Sequence, residues 1–131
     1  MNREIKFRAW HKDLKKMFKI GQITLEKGTW NFEPNDRDFI GMSIPFQPSF
    51  VLMQYTGLHD KNGKEIYEGD IVQGLFADQE ELEIKGQVIY SNGQASYIII
   101  ASNNDEWELG YLDNLEVISN IYDNPELLGG E

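Results

Sequence analysis

The chain has 131 residues, with 12 lysines and arginines, 22 aspartates and glutamates and no cysteine, and its formal net charge is −10. This length suits one domain, or one domain with a small appended layer. A hydrophobic content of 40% excludes a disordered acidic tail. Because cysteine is absent, the chain has no disulfide, no thiolate nucleophile and no cysteine metal site.

The first predicted element is a β-hairpin. Residues 5–10 alternate, with apolar side chains on one face and Lys6, Arg8 and Trp10 on the other, which is typical of a half-buried strand. The polar residues 11–16 predict a turn. Residues 17–20 predict the return strand, with residues 22–25 as a candidate continuation.

Residues 27–49 lack a regular pattern. Pro45 and Pro48 exclude a helix of more than about two turns. The segment is also rich in aromatic residues, which indicates that it packs on a core or a partner. We therefore divide the chain into residues 1–49, an N-terminal β-hairpin and irregular aromatic segment, and residues 50–131, which form the main domain.

Short strands follow closely from residue 50 onward. Asn62-Gly63 and Asn92-Gly93 predict hairpin turns, and Gly86 predicts a bulge or bend in a strand. A helical turn is a candidate for residues 109–115, and a short helix is expected to begin near Pro125. The predicted strands are residues 50–55, 65–67, 70–72, 82–90, 95–101 and 116–122. This spacing predicts a mainly β fold that forms a small barrel or roll with a short C-terminal helix.

No motif in the sequence defines a catalytic or cofactor site. Residues 57–65 differ from a phosphate-binding loop, because five residues separate the glycines and Glu65 replaces the hydroxyl residue. His59 with Asp60 could act as a base and its orienting group, but no serine lies in a nucleophile signature. We favour a turn or surface role for His59 and expect no catalytic residue, no metal site and no cofactor.

Two groups of carboxylates lie in predicted loops. Neither has the spacing of a calcium-binding loop, so we interpret both as solvated acids. The first group is Asp78, Glu80, Glu81 and Glu83, and the second is Asp105, Glu106 and Glu108.

The charges are unevenly distributed along the chain. Residues 1–20 contain seven bases and two acids, whereas residues 65–131 contain 15 acids and one base. Such asymmetry could attract a charged partner or promote head-to-tail self-association, or it could simply aid solubility. The candidate interaction residues are Arg3, Lys6, Arg8, Trp10, Lys15, Lys16, Lys19 and Tyr67.

Three segments together resemble the YopX-type proteins of bacteriophages and prophages. They are the opening residues 3–10 with 15–17, the central residues 54–72 and the closing residues 116–128. The resemblance implies a phage or prophage origin and a mainly β fold with an SH3-like barrel or roll. It implies no activity, because the family has no established catalytic residues, cofactor or substrate.

These observations favour a non-enzymatic module that binds a host or phage protein, with self-assembly into a homo-oligomer as a related form. Nucleic-acid binding through the basic N-terminal face is a less favoured alternative, because a net charge of −10 disfavours phosphate contacts. A second alternative is an acidic DNA mimic that inhibits a host protein. An enzyme with His59 as its base ranks last.

The N-terminus lacks the apolar region of a secretory signal, and no stretch of about 20 apolar residues could span a membrane, so we expect a cytoplasmic protein.

Overall fold

The computed structural model describes residues 4–24, 26–32, 43–45, 49–76, 79–101 and 103–128. Within them the chain is mainly β, as predicted. Two 3-10 helices are also present, η1 (Leu109–Tyr111) and η2 (Pro125–Leu128). The strands are β1 (Phe7–His11), β2 (Lys16–Thr24), β3 (Thr29–Phe32), β4 (Ser43–Pro45), β5 (Phe50–His59), β6 (Glu65–Tyr67), β7 (Asp70–Phe76), β8 (Gln79–Ser91), β9 (Ser96–Ala101), β10 (Glu106–Glu108) and β11 (Leu112–Asn120). No helix in these ranges is long and apolar enough to cross a membrane.

The chain divides into two compact units, Met1–Gln54 and Tyr55–Glu131. The N-terminal unit contains β1 to β4 and the first half of β5, and all its strand pairs are antiparallel. Its strand order is β4-β3-β2-β1-β5. The alternation predicted for residues 5–10 places Ala9 in the core with Phe18, Ile20 and Phe50. β3 and β4 lie in the segment that we predicted to be irregular.

The C-terminal unit is a five-stranded antiparallel sheet with the order β10-β9-β8-β7-β11, and the second half of β5 pairs with β6. Its core contains Ile66, Val72, Val88 and Ile99, none of which exposes a measurable surface. Phe76 and Trp107 pack against this core. β10 and β11 form the two edges of the sheet, so the expected barrel is not closed in the part of the chain that the structure describes.

Gly86 has a different role from the one we predicted. The pairing register runs unbroken from Ile71 opposite Gln87 to Gln73 opposite Lys85, so Gly86 forms no bulge. A Cβ atom at this position would instead overlap the carbonyl group of Ile100 in β9, where it would lie 2.7 Å from the carbonyl carbon. The glycine therefore permits two strands to approach closely.

Both predicted hairpin turns are present, but their left-handed residues are not all where we expected them. After β5, Gly63 has a φ of +83° and its amide donates to the carbonyl of Asp60 (3.0 Å). Between β8 and β9 the positive φ belongs to Ala95 (53°) and not to Asn92 or Gly93. The reason is loop length, because four residues separate Ser91 from its partner Ser96 whereas a tight Asn-Gly turn requires two.

Candidate functional site

The predicted basic residues of the N-terminal unit lie on different parts of the β1–β2 hairpin. Arg8 lies directly opposite Lys19, so these two cations share one face of the sheet. Lys16 lies opposite His11 on the other face, where its Nζ atom is 5.0 Å from the centroid of the Phe18 ring. Lys6 forms an ion pair of 3.5 Å with Glu4, and Arg3 lies outside the described residues.

The end of this hairpin is an exposed basic loop, which we call the hairpin tip (residues 12–16). His11 shapes the loop, because its Nδ1 atom accepts hydrogen bonds from the amides of Asp13 (3.2 Å) and Leu14 (3.0 Å). Lys15 takes the left-handed conformation with a φ of 52°. The tip therefore presents a 53% exposed Leu14 among Lys12, Lys15 and Lys16.

The two aromatic candidates are buried. Both Trp10 and Tyr67 expose only 7% of their surface. Trp10 lies opposite Met17 and Val51, and the hydroxyl of Tyr67 donates to Glu65 (3.2 Å). The alternation of β1 correctly separated two faces, but it could not tell which face meets solvent. Neither ring is placed to stack on a nucleic-acid base.

Asp60 organises the central segment of the C-terminal unit. Its Oδ1 atom accepts the amides of Asn62 (2.8 Å) and Lys64 (2.9 Å), and its Oδ2 atom accepts the amide of Val117 in β11 (3.0 Å). Burial raises the pKa of Asp60, but these three hydrogen bonds to the charged form outweigh burial and hold the pKa below its usual value. The carboxylate therefore fixes the turn and joins it to a strand more than fifty residues away.

His59 and Asp60 point to different partners. The imidazole of His59 lies within hydrogen-bond distance of the Tyr55 hydroxyl, at 3.2 Å from Nδ1 and 3.4 Å from Nε2. Tyr55 lies opposite Tyr67, and His59 lies opposite Glu65, so the four side chains form one cross-strand cluster. The arrangement that we considered, with Asp60 orienting His59, is not supported by these contacts.

The turn before β7 is built by Gly69 and Asp70. Gly69 has a φ of 87°, and the carboxylate of Asp70 accepts the amide of Tyr67 (2.8 Å). Thr56 contributes a further contact, because its hydroxyl donates to the carbonyl of Ile66 (2.8 Å). The polar residues of this segment thus satisfy buried backbone groups.

The second group of carboxylates makes local contacts. Asp105 accepts from the amide of Asn103 (3.0 Å), Glu106 accepts from Gln94 (3.1 Å), and Glu108 accepts from Ser96 (3.2 Å). In the first group Glu83 is exposed, whereas Asp78 and the side chains of Glu80 and Glu81 lie outside the described residues. Within the ranges that the structure describes, no three acidic or histidine residues are grouped to hold a metal ion.

Sequence reasoning missed a cavity of about 310 Å³ in the C-terminal unit. Its lining combines residues 83–85 of β8 with the turn that follows β9 and with Trp107 of β10. The cavity exists because β8 is longer than β9, and the predicted strands, residues 82–90 and 95–101, understated this difference. The unequal lengths of two adjacent strands were the only sequence signal for it.

A family model described as YopX protein matches residues 6–129. The chain belongs to the YopX family. Two crystal structures resemble this family member. A protein from Enterococcus faecalis is 27% identical to this chain with a TM-score of 0.64, and the match covers 97% of this chain and 99% of that protein. Protein YopX from Bacillus subtilis is 24% identical with a TM-score of 0.61, covering 94% of this chain and 97% of its own, a likeness that shows the fold alone. No curated protein matches the chain.

The central segment that resembles the family, residues 54–72, has a structural role in this chain. In this YopX family member, Thr56, Asp60, Gly69 and Asp70 of the resembling stretch all serve turns or buried backbone groups. In this chain these residues therefore serve the architecture of the segment.

Proposed function

We propose that this YopX family member is a non-enzymatic protein-interaction module, encoded by a phage or prophage and acting in the cytoplasm of the bacterial host. The observation that carries the proposal is the hairpin tip, an exposed loop in which a 53% exposed leucine lies among three lysines and one aspartate in sequence. Such a loop offers an acidic partner one apolar contact and a net positive charge. The partner that fits is a host or phage protein with an acidic surface that surrounds an apolar pocket.

The charge of the two units supports this assignment. Residues 1–54 contain nine bases and six acids, whereas residues 55–131 contain three bases and 16 acids. The basic tip is thus on the unit with net positive charge. A second copy of the chain is one acidic partner of this kind, so self-assembly into a homo-oligomer is part of the proposal.

The test is affinity capture from host lysate with the wild type and two double variants. The tip variant, Lys15→Glu/Lys16→Glu, reverses two positive charges of the hairpin tip. The control, Lys27→Glu/Lys64→Glu, makes the same charge change at two other exposed lysines. We expect the wild type and the control to retain the same protein and the tip variant to lose it. Equal capture by all three proteins, or no capture by any, would contradict the proposal.

Light scattering on a sizing column separates self-assembly from binding to another protein. A mass above that of one chain at low salt, reduced by the tip variant and not by the control, would identify the second copy as the partner. Salt should weaken this association, because exposed charge pairs are screened over about 10 Å at 0.1 M salt.

Nucleic-acid binding is a second candidate, favoured by the placement of Arg8 opposite Lys19. Fluorescence anisotropy with a short DNA duplex at low salt tests it, because electrostatic affinity is greatest there.

The acidic-mimic version of the proposal instead uses the 16 acids of residues 55–131. In that version DNA competes with the protein for its captured partner.

The SH3-like architecture implied by the family resemblance belongs to the same proposal. A five-stranded antiparallel sheet with η1 directly before its last strand supports it. Small barrels and rolls of this kind commonly bind through edges and connecting loops.

A further inference from the structure

β8 is paired with its two neighbouring strands over different lengths. On one side it pairs with β7 along residues 79–87, whereas on the other it pairs with β9 along residues 86–91 only. β9 ends at Ala101, where the chain turns away through Asn104, a residue with a φ of 70°. Within the described ranges, residues 79–85 therefore have no strand beside them on the β9 side. Such an edge can pair with an added extended segment.

The cavity of about 310 Å³ lies at this open edge, and we call it the β8 edge groove. Trp107 lines it and is held in place by Phe76, with 5.1 Å between the ring centroids in an edge-on arrangement. Ile84 contributes an apolar side chain that is 6% exposed. The charged lining residues are Glu83, Lys85 and Asp105, all exposed.

The charge of the edge defines the kind of segment that it would accept. Residues 79–85 contain three glutamates and one lysine, and they belong to a unit with 16 acids and three bases. Ile84 lies on the same face of the sheet as Trp107, whereas Glu83 and Lys85 project from the other face. An added strand would therefore place alternate side chains against Trp107 and beside the Glu83 carboxylate, and the carboxylate favours lysine or arginine. An anionic strand would be repelled at that carboxylate.

We infer that the β8 edge groove binds an extended peptide segment carrying lysine or arginine, which adds as a strand beside residues 83–85. One cationic side chain would lie beside Glu83, and the next side chain along the added strand would be apolar and lie against Trp107. Backbone hydrogen bonds would supply affinity, and the Glu83 carboxylate would select a positive side chain.

We assign the groove to a separate peptide and not to the basic hairpin of a second copy. β1 is paired on both sides, with β2 and β5. β2 is paired with β3 only from Ile20 to Thr24, so binding through the first residues of β2 of a second copy is an outcome that the tests below distinguish. The groove is thus a surface additional to the hairpin tip, and it goes beyond the function proposed above.

The first test uses the full chain and three synthetic probe peptides. The first alternates lysine with valine over six residues, the second replaces lysine with glutamate, and the third is the lysine peptide N-methylated at alternate residues. We expect the lysine peptide alone to shift the backbone amide resonances of residues 83–85 and the indole resonance of Trp107. No shift with the lysine peptide, or equal binding of the N-methylated peptide, would overturn the inference.

The second test compares two charge reversals. Glu83→Lys changes the groove, and Asp113→Lys makes the same change on β11, at the opposite edge of the sheet. We expect Glu83→Lys to weaken the lysine peptide at least about tenfold, a change of about 1.4 kcal/mol, and Asp113→Lys to weaken it much less. Equal losses would show general attraction to an acidic unit and would overturn the inference.

Two further outcomes separate this inference from the proposed function. The tip variant Lys15→Glu/Lys16→Glu should bind the lysine peptide like the wild type, because the tip belongs to the other unit. Loss of peptide binding in that variant would contradict the assignment to β8. Dimerisation that Glu83→Lys abolishes would also overturn it, because the occupant would then be a second copy.

Discussion

Asp60 is the residue whose removal should reveal most about the C-terminal unit. It is 7% exposed, and its two oxygens bind three amides from two separate parts of the chain. Lys61, the next residue, adds a hydrogen bond from its amide to the carbonyl of Leu115 (2.7 Å). The turn between β5 and β6 is therefore attached to β11 by side chain and backbone together.

Asp60→Asn should destabilise the protein at neutral pH. The asparagine amide offers one acceptor oxygen where the carboxylate offers two, so at least one partly buried amide would lose its partner at a cost of about 1–3 kcal/mol. Urea denaturation at pH 7 measures the loss. Asp113→Asn removes the same charge from an exposed position and is the control. A loss no larger than that of the control would contradict the role assigned to Asp60.

The difference in stability between the wild type and Asp60→Asn should also depend on pH. The pKa of Asp60 is lower in the folded chain than in the unfolded chain, so its stabilisation is complete above the unfolded value, about 3.9. It is lost as the pH falls through the lower folded pKa. Urea curves of both proteins between about pH 7 and pH 2.5 should converge at the acidic end, and a constant difference across this range would refute the linkage.

At the scale of elements, the close approach of β8 and β9 depends on Gly86. In Gly86→Ala the added methyl group would overlap the backbone of Ile100, which cannot move without breaking the β9 pairing. We expect a loss of roughly 1–3 kcal/mol or more. Gly93→Ala is the matched control, since no atom lies within 4 Å of its added Cβ. Thermal unfolding of both variants tests this, and equal losses would contradict it.

A double variant in the β8–β9 loop should stabilise the protein, in contrast to Gly86→Ala. Ala95 carries the left-handed conformation, which costs an L-residue roughly 1–2 kcal/mol, whereas Gly93 lies outside that region. Exchanging the two residues in Gly93→Ala/Ala95→Gly places glycine where the backbone requires it. We expect the double variant to unfold at higher urea concentration than the wild type. A lower midpoint would show that Ala95 is not strained.

The sequence predicted the elements better than their lengths. Alternation located β1, and short apolar runs between turn residues located β2 and β5 to β9, because both patterns reflect burial of a strand in a sheet. β3 and β4 were missed, since residues 27–49 contain prolines and glycines that favour loops over strands. The open edge of β8 was also missed, because it depends on where β9 stops, and that is set by the turn at Asn104. Burial of Trp10 and Tyr67 depends on packing that no local pattern records.

For the whole molecule, the division of charge between the two units predicts a response to salt. Residues 55–131 have 16 acids and three bases, so the folded C-terminal unit concentrates like charges that the unfolded chain would separate. Screening this repulsion should stabilise the fold. We expect the urea midpoint to rise as sodium chloride increases from about 20 mM to 500 mM, over which the screening length shortens severalfold, while the slope stays constant.

Asp113→Lys distinguishes this repulsion from a general effect of salt. The variant replaces one negative charge with a positive one on the same unit, so it should be more stable than the wild type at low salt. Its gain should shrink at high salt, because the repulsion that it relieves is already screened. If salt shifts both proteins equally, or lowers both midpoints, the charges of this unit are not opposing its folded state.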